Sequence, residues 1–350
     1  MAAIFLLPAI TITAGNADRA GSAGATELLI NPWARSTGWA GANTACVKGL
    51  EAMFLNVAGI TATKKTEMIF SRTSWLVGTD IKISSFGFTQ HVGETGALGF
   101  SVMSMNFGKI PITTVDLPEG GIGTYSPQYV NIGLSYAKAF SDNISGGLNL
   151  KMISEALPDL NARGVAIDAG IQYVTGPYKN LHFGIALKNL GPKMRFNGDG
   201  LSFRTPLPAN NPGGSKTYTV QNRSAGFDMP SLVNIGIGYD LYFSKDSAAM
   251  HKNRLTIASN FTSNSFEKDE FKLGVEYGFR SFLMVRVGYM YQQGITKEDD
   301  RTTVFTGPSA GVTVELPFGK EKKSSFGLDY SYRHTNPFQG VHSIGARINL

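Results

Sequence analysis

The sequence predicts an all-β protein, a 14-stranded antiparallel transmembrane β-barrel with an N-terminal hatch or plug segment inside it. A two-residue rhythm is the first reason: Val130, Ile132, Leu134 and Tyr136 alternate with Asn131, Gly133, Ser135 and Ala137, and the pattern recurs as far as Leu350. Successive strand side chains point to opposite faces, so each such segment has one apolar and one small, polar face. Composition is the second reason. With 41 Gly and only 17% charged residues in 350, the polar faces suit a crowded lumen better than a water-covered surface. The third is hydropathy: no run reaches the ~18 apolar residues of a membrane helix, and the mean hydropathy of −0.05 is what alternation produces on averaging.

Taken from the N-terminus, residues 1–17 are expected to be a secretory signal. Ile4-Phe5-Leu6-Leu7 supplies the apolar region and Gly15-Asn16-Ala17 a small-residue cleavage site. Residues 18–65 form an extension and the hatch, and residues 66–350 the barrel. The lone Cys46 excludes an internal disulfide and a thiolate metal cluster. The net charge of +6 is dispersed, with no basic run and no nucleic-acid motif.

Period two between turn clusters predicts strands near 66–76, 80–90, 96–107, 128–140, 143–154, 164–175 and 180–190, then 230–243, 252–263, 270–280, 282–293, 308–317, 324–334 and 341–350. In the second strand Ile81 and Ile83 are out of phase with Phe86 and Phe88, which predicts a bulge. Short links (91–95, 141–142, 176–179, 244–251, 280–281, 318–323) alternate with the longer 108–127, 155–163, 191–229 and 294–307. Outer-membrane barrels have short periplasmic turns and long outer loops, so both termini are expected on the periplasmic side.

The outward positions of the central strands, such as Leu148, Leu150 and Met152 or Phe183, Ile185 and Leu187, are uncharged. The other faces hold Lys151, Asp168, Lys188, Asp240, Lys272, Glu276, Arg286, Asp329, Arg333 and Arg347. Mixed signs predict internal ion pairs and a plugged lumen. Phe140, Tyr173, Phe243, Tyr277, Tyr289 and Tyr332 near strand ends suit an aromatic girdle.

Residues 28–65 break the rhythm. Small residues surround Trp33, Arg35 and Trp39, a short helix is expected within Val47 to Leu55, and Asn56-Val57-Ala58-Gly59 follows. Small residues permit close packing, which suits a hatch inside the barrel. This order, with Asp116-Leu117-Pro118-Glu119-Gly120 leading to Tyr125-Ser126-Pro127, resembles the PorV/PorQ family, relatives of the FadL-type transporters of hydrophobic compounds. Asn56 to Gly59 stands where the family usually has Asn-Pro-Ala-Gly. The PorV branch, the nearer of the two, implies a shuttle in type IX protein secretion. Such a shuttle would dock on a giant translocon barrel (SprA or Sov), take cargo by its C-terminal signal domain and deliver it to a surface attachment complex, among outer-membrane lipids.

On that reading the working surface is the outer loops. In 191–229, Arg195, Phe196, Phe203, Arg204, Leu207, Tyr218, Arg223 and Phe227 combine aromatic and Arg anchors. The same loop folding over its own barrel mouth is the plain alternative. Ile110 and Ile112 are the candidates in 108–127, where Gly120 to Gly123 lacks the context of a phosphate loop. No cofactor is expected, and Glu298-Asp299-Asp300-Arg301 lacks the spaced oxygens of a calcium loop. No histidine stands in HExxH spacing and no GxSxG elbow occurs, so catalysis is not expected, His182 being read as a lumen residue. The rival function is a FadL-like conduit for hydrophobic compounds, which predicts a kinked strand and an apolar pocket above the hatch.

Overall fold

The computed structural model describes residues 19–206, 217–243, 253–280, 282–318 and 324–350; the expected signal region lies outside them. Fourteen strands build the barrel: β1 (Thr66–Ser74), β2 (Lys82–Val92), β3 (Gly96–Asn106), β4 (Gln128–Ala139), β5 (Ile144–Ala156), β6 (Asn161–Thr175) and β7 (Leu181–Leu190) form one half. β8 (Leu232–Tyr242), β9 (Asn253–Asn264), β10 (Glu270–Phe279), β11 (Leu283–Gln292), β12 (Phe305–Phe318), β13 (Ser324–Thr335) and β14 (Val341–Asn349) form the other. Each pairs antiparallel with its chain neighbour, and β1 pairs with β14 from Glu67↔Asn349 to Ser74↔His342. The sheet is thereby closed and has no free edge, the arrangement that lets strands cross a bilayer.

The wall follows the alternation. Leu148, Leu150, Met152, Val165, Ile167, Ile171, Phe183, Ile185 and Leu187 are exposed outside, while Lys151, Asp168, Lys188, Asp240, Glu276, Arg286, Asp329 and Arg347 are buried inside. An exposed apolar belt on a closed barrel is a lipid-facing surface. Inside, opposite charges meet: Lys151 Nζ lies 2.6 Å from Asp168 Oδ2, Arg286 Nε 2.9 Å from Glu276 Oε2, and Arg347 Nη2 3.2 Å from Asp329 Oδ1. Pairing of this kind offsets the cost of burying these charges.

The expected bulge in β2 is absent. Its ladders run unbroken from Lys82↔Asn106 to Val92↔Gly96 and from Lys82↔Ser74 to Gln90↔Thr66. Ile83 points inward and is buried with Met103, Met105, Tyr129 and Ile153 against Leu28 of the N-terminal segment. The apparent change of phase is therefore a change in what fills the lumen, from polar to apolar, with the strand geometry unaltered.

The N-terminal segment passes once down the lumen. At the end carrying the long loops, Gly24 N donates to Asp228 O at 2.9 Å. At the opposite end Leu350 N donates to Thr66 O at 2.9 Å. The first and last described residues thus sit at opposite ends of the barrel.

Between these points lie short helical turns, Ala34–Thr37, Ala52–Leu55 and a 3₁₀ turn at Val57–Ala62; only the end of the expected 47–55 helix is helical. Polar groups anchor them to the wall. Asn56 Nδ2 donates to the carbonyls of Ile171 and Ile185, Gln172 Nε2 to Val47 O at 3.0 Å, and Leu50 N to Glu67 Oε2 at 2.8 Å. Wall glycines make the fit possible: a Cβ at Gly288 would collide with the Trp39 backbone, and one at Gly170 with the Asn56 amide.

Candidate functional site

Above this segment, at the loop end, lies a cavity of about 430 Å³. Its floor is Phe54 and Leu55, with Thr37, Ala40 and Gly41; its wall includes Met105, Leu232 and Met290; Trp75, Phe107 and Phe305 come from the links and strand ends above. Trp75 and Phe305 meet edge to face, with centroids 5.7 Å apart. The volume falls within the range of small-molecule sites, and the lining has their usual character, aromatic and aliphatic with a few placed charges.

Those charges are already engaged. Lys188 Nζ sits 3.5 Å from the Phe54 ring centroid, and the Arg333 guanidinium 3.6 Å from that of Phe305. A cation over an aromatic face is held by the ring quadrupole. Lys272 pairs with Glu270 at 2.7 Å. Glu27 and Glu267 complete the rim. Burial raises both carboxyls above the ordinary range, and at Glu267 the neighbouring Glu270 raises it further.

One part of the wall beside the cavity is irregular. The pairing of β11 with β12 ends at Tyr289↔Pro308, and the β12–β13 register shifts between Phe305 and Ser309. Gly307 has φ +114°, and Pro308 has no N–H to give the ladder. Met290 and Phe305, which line the cavity, flank this break.

Of the expected hatch residues, Trp33 and Trp39 are buried, and Asn56 bridges β6 and β7. Gly59 packs so closely on Val47 and Ala52 that a Cβ there would collide. Arg35 lies 3.7 Å from Glu276. The loop residues divide into two groups. Phe196 and Phe227 meet at a tilt, centroids 5.7 Å apart, and pack with buried Met194 and Met229 over the barrel mouth. They therefore close the protein's own lumen and are removed from the candidate partner surface.

Phe203 and Arg204 lie on one arm of a hairpin (Ser202–Pro206 with Thr217–Gln221) and Tyr218 on the other. Phe203 and Tyr218 are 48% and 53% exposed. Arg195 and Arg223 are exposed, and Leu207 lies outside the described residues. In 108–127, Ile110 is half-buried in the short pairing of Ile110–Pro111 with Thr124–Tyr125, and Ile112 is exposed. Buried His182 faces Asp240, Nε2 to Oδ2 3.1 Å.

The cavity was not legible as a site in the sequence, because Lys188 and Phe54 are far apart in the chain. The visible signal was the pair of inward apolar residues at Met103 and Met105, a departure from polar-inside alternation.

No protein-family model and no curated relative matches the chain. Among solved structures, the Pseudomonas putida toluene transporter TodX aligns with a TM-score of 0.53 at 11% identity, over 87% of this chain and 94% of its own. The CymD monoaromatic hydrocarbon channel aligns with a TM-score of 0.52 at 14% identity, over 91% of this chain and 97% of that one. This chain has their fold. The FadL-like barrel expected from the resemblance is thus present over nearly the whole length described. Its cavity, its lumenal N-terminal segment and its broken ladder are features of this chain's own residues.

Proposed function

We propose that this protein is a FadL-like outer-membrane transporter of small hydrophobic compounds, with its long loops facing outward. The observation that carries this reading is the cavity between plug and loops, lined by Phe54, Leu55, Trp75, Met105, Phe107 and Phe305 and flanked by the interrupted β11–β12 ladder. Apolar compounds leave water for such a lining spontaneously, at roughly 25 cal/mol per Å² buried. The ladder break supplies a weak point in the wall beside the bound compound. The solved structures with this fold include a toluene transporter and a monoaromatic hydrocarbon channel, which makes toluene the first compound to try. In proteoliposomes, toluene uptake should exceed that of empty vesicles and fall by most of its value in Met105→Trp, which fills the cavity. Uptake equal to that of empty vesicles, with the barrel shown to be folded, would reject the reading.

The exposed hairpin carrying Phe203, Arg204 and Tyr218 favours a second reading, the type IX secretion shuttle. Rings at this exposure beside Arg are the usual anchors of a protein interface. Capture of the intact protein from native membranes distinguishes the two: a giant barrel and secreted cargo, lost on Phe203→Ala with Tyr218→Ala, would support the shuttle.

A further inference from the structure

We propose that the lipid-facing wall of β1 to β3, at the loop end, is a binding site for the phosphate-bearing headgroup of a lipid in that leaflet. On these three strands the outward alternation runs apolar and then stops. Phe70, Phe86 and Val102 lie abreast, since Phe70 pairs with Phe86 and Phe86 with Val102. One step further toward the loops, the abreast residues are Arg72, Ser84 and Ser104. The step after that is Ser74, Lys82 and Asn106. Two complete rows on the lipid side are thus hydrogen-bonding or cationic. All but Ser74 line an open notch of about 480 Å³ with Asp80, Gly108 and Lys109 from the adjoining links.

The rim on the far side of the barrel is built differently. On β9 to β11 the outward residues near the loops are aromatic: Phe261 packs at a tilt on Phe271, centroids 4.8 Å apart, and Phe271 pairs with Tyr291. That is the girdle expected of a barrel. In the notch, three cations face one carboxylate, Asp80, so it attracts an anion. Arg72 donates to Ser84 Oγ, which turns the guanidinium along the wall and leaves most of its donors free. Guanidinium, ammonium and hydroxyl donors around a concave surface suit phosphate oxygens. The apolar row directly beneath, with Phe70 53% exposed, is in position to hold acyl chains. Headgroup and tails together define a lipid, in preference to a soluble anion or a protein surface.

The test uses the full-length protein in detergent micelles and native mass spectrometry. Phosphatidic acid is offered against diacylglycerol of the same chains, and inorganic phosphate as competitor. The unchanged protein should retain phosphatidic acid preferentially. Replacing Arg72, Lys82 and Lys109 together by Gln should reduce that retention by about fivefold for each cation lost. Arg72→Lys should keep most of it. Arg163→Gln, an exposed cation on the outward face of β6, should leave it unchanged. Heat-modifiable gel migration verifies that each variant is folded. Equal retention by the triple variant overturns the proposal. So does displacement of the lipid by inorganic phosphate at comparable concentration, or a protein from membrane extracts filling the notch while no lipid preference is found.

Discussion

The lumen has two unlike walls. Near the loops, the inner face of β2 to β6 is apolar, with Ile83, Met103, Met105, Tyr129, Ile153 and Ala166 packed on Leu28 and Ala25 of the N-terminal segment. On the far side of the barrel and nearer the turn end, β8 to β14 present Asp240, Glu276, Arg286, Asp329 and Arg347; Glu276 is tied to Arg286 and Arg35, and Asp329 to Arg347. The same segment is therefore held by burial on one side and by charge on the other. Burial is forgiving about direction, whereas a buried ion pair requires every partner to be in place. The difference indicates which side fixes the segment's position and which leaves room for a cavity.

The charged wall offers the strongest way to break this comparison. Glu276 accepts from Arg254 at 2.8 Å and Arg286 at 2.9 Å, and lies 3.7 Å from Arg35. Glu276→Gln leaves three cations around a neutral amide. We expect a loss of about 3–5 kcal/mol in folding stability, measured by urea titration of the refolded barrel. A loss under about 1 kcal/mol would mean that water screens this wall and that the lumen is wetter than its buried ion pairs imply.

The apolar wall should respond less. Met103→Ala removes a side chain packed among Ile83, Met105 and Tyr129, at an expected cost of about 2–3 kcal/mol by the same titration. Because this wall adjoins the cavity, the variant should also bind a larger aromatic compound than the unchanged protein does. Unaltered size preference together with the stability loss would separate the packing core from the ligand space.

The two walls were not equally legible in the sequence. The charged one was, because Asp240, Glu276, Arg286, Asp329 and Arg347 fall on the face opposite the apolar belt, and mixed signs in a closed lumen must pair. The apolar one was not. Ile83 on the inner phase of β2 looked like a bulge because a polar lumen was assumed, and periodicity reports only which face a residue occupies. What fills that face depends on Leu28 and Ala25, brought there by tertiary folding alone. The outer loops were half legible for a similar reason. Phe196 and Phe203 are the same residue type seven positions apart, yet the short pairing of Phe196–Asn197 with β6 draws the first over the mouth, while the hairpin holds the second in solvent.

The finest distinction between the walls lies at the rim, where the cavity meets solvent. Glu27 stands on the segment and Glu267 on the link between β9 and β10, with Lys188, Lys272, Glu270 and Arg333 lining the same space. Burial raises the pKa of both carboxyls, so the folded protein holds these protons more tightly than the unfolded chain does. Above the raised value each carries a charge that costs the fold stability. As pH falls through that value toward the ordinary carboxyl range, protonation removes the cost and stability rises. An apolar compound entering the cavity covers the same groups, so its binding should tighten in the same direction over the same window. Isothermal titration across that window checks the sign, and Glu27→Gln with Glu267→Gln should flatten the dependence. Binding that weakens toward acid pH would mean that the compound reports on the cations, Lys188 and Arg333 above all, and would shift the ligand class from neutral toward anionic.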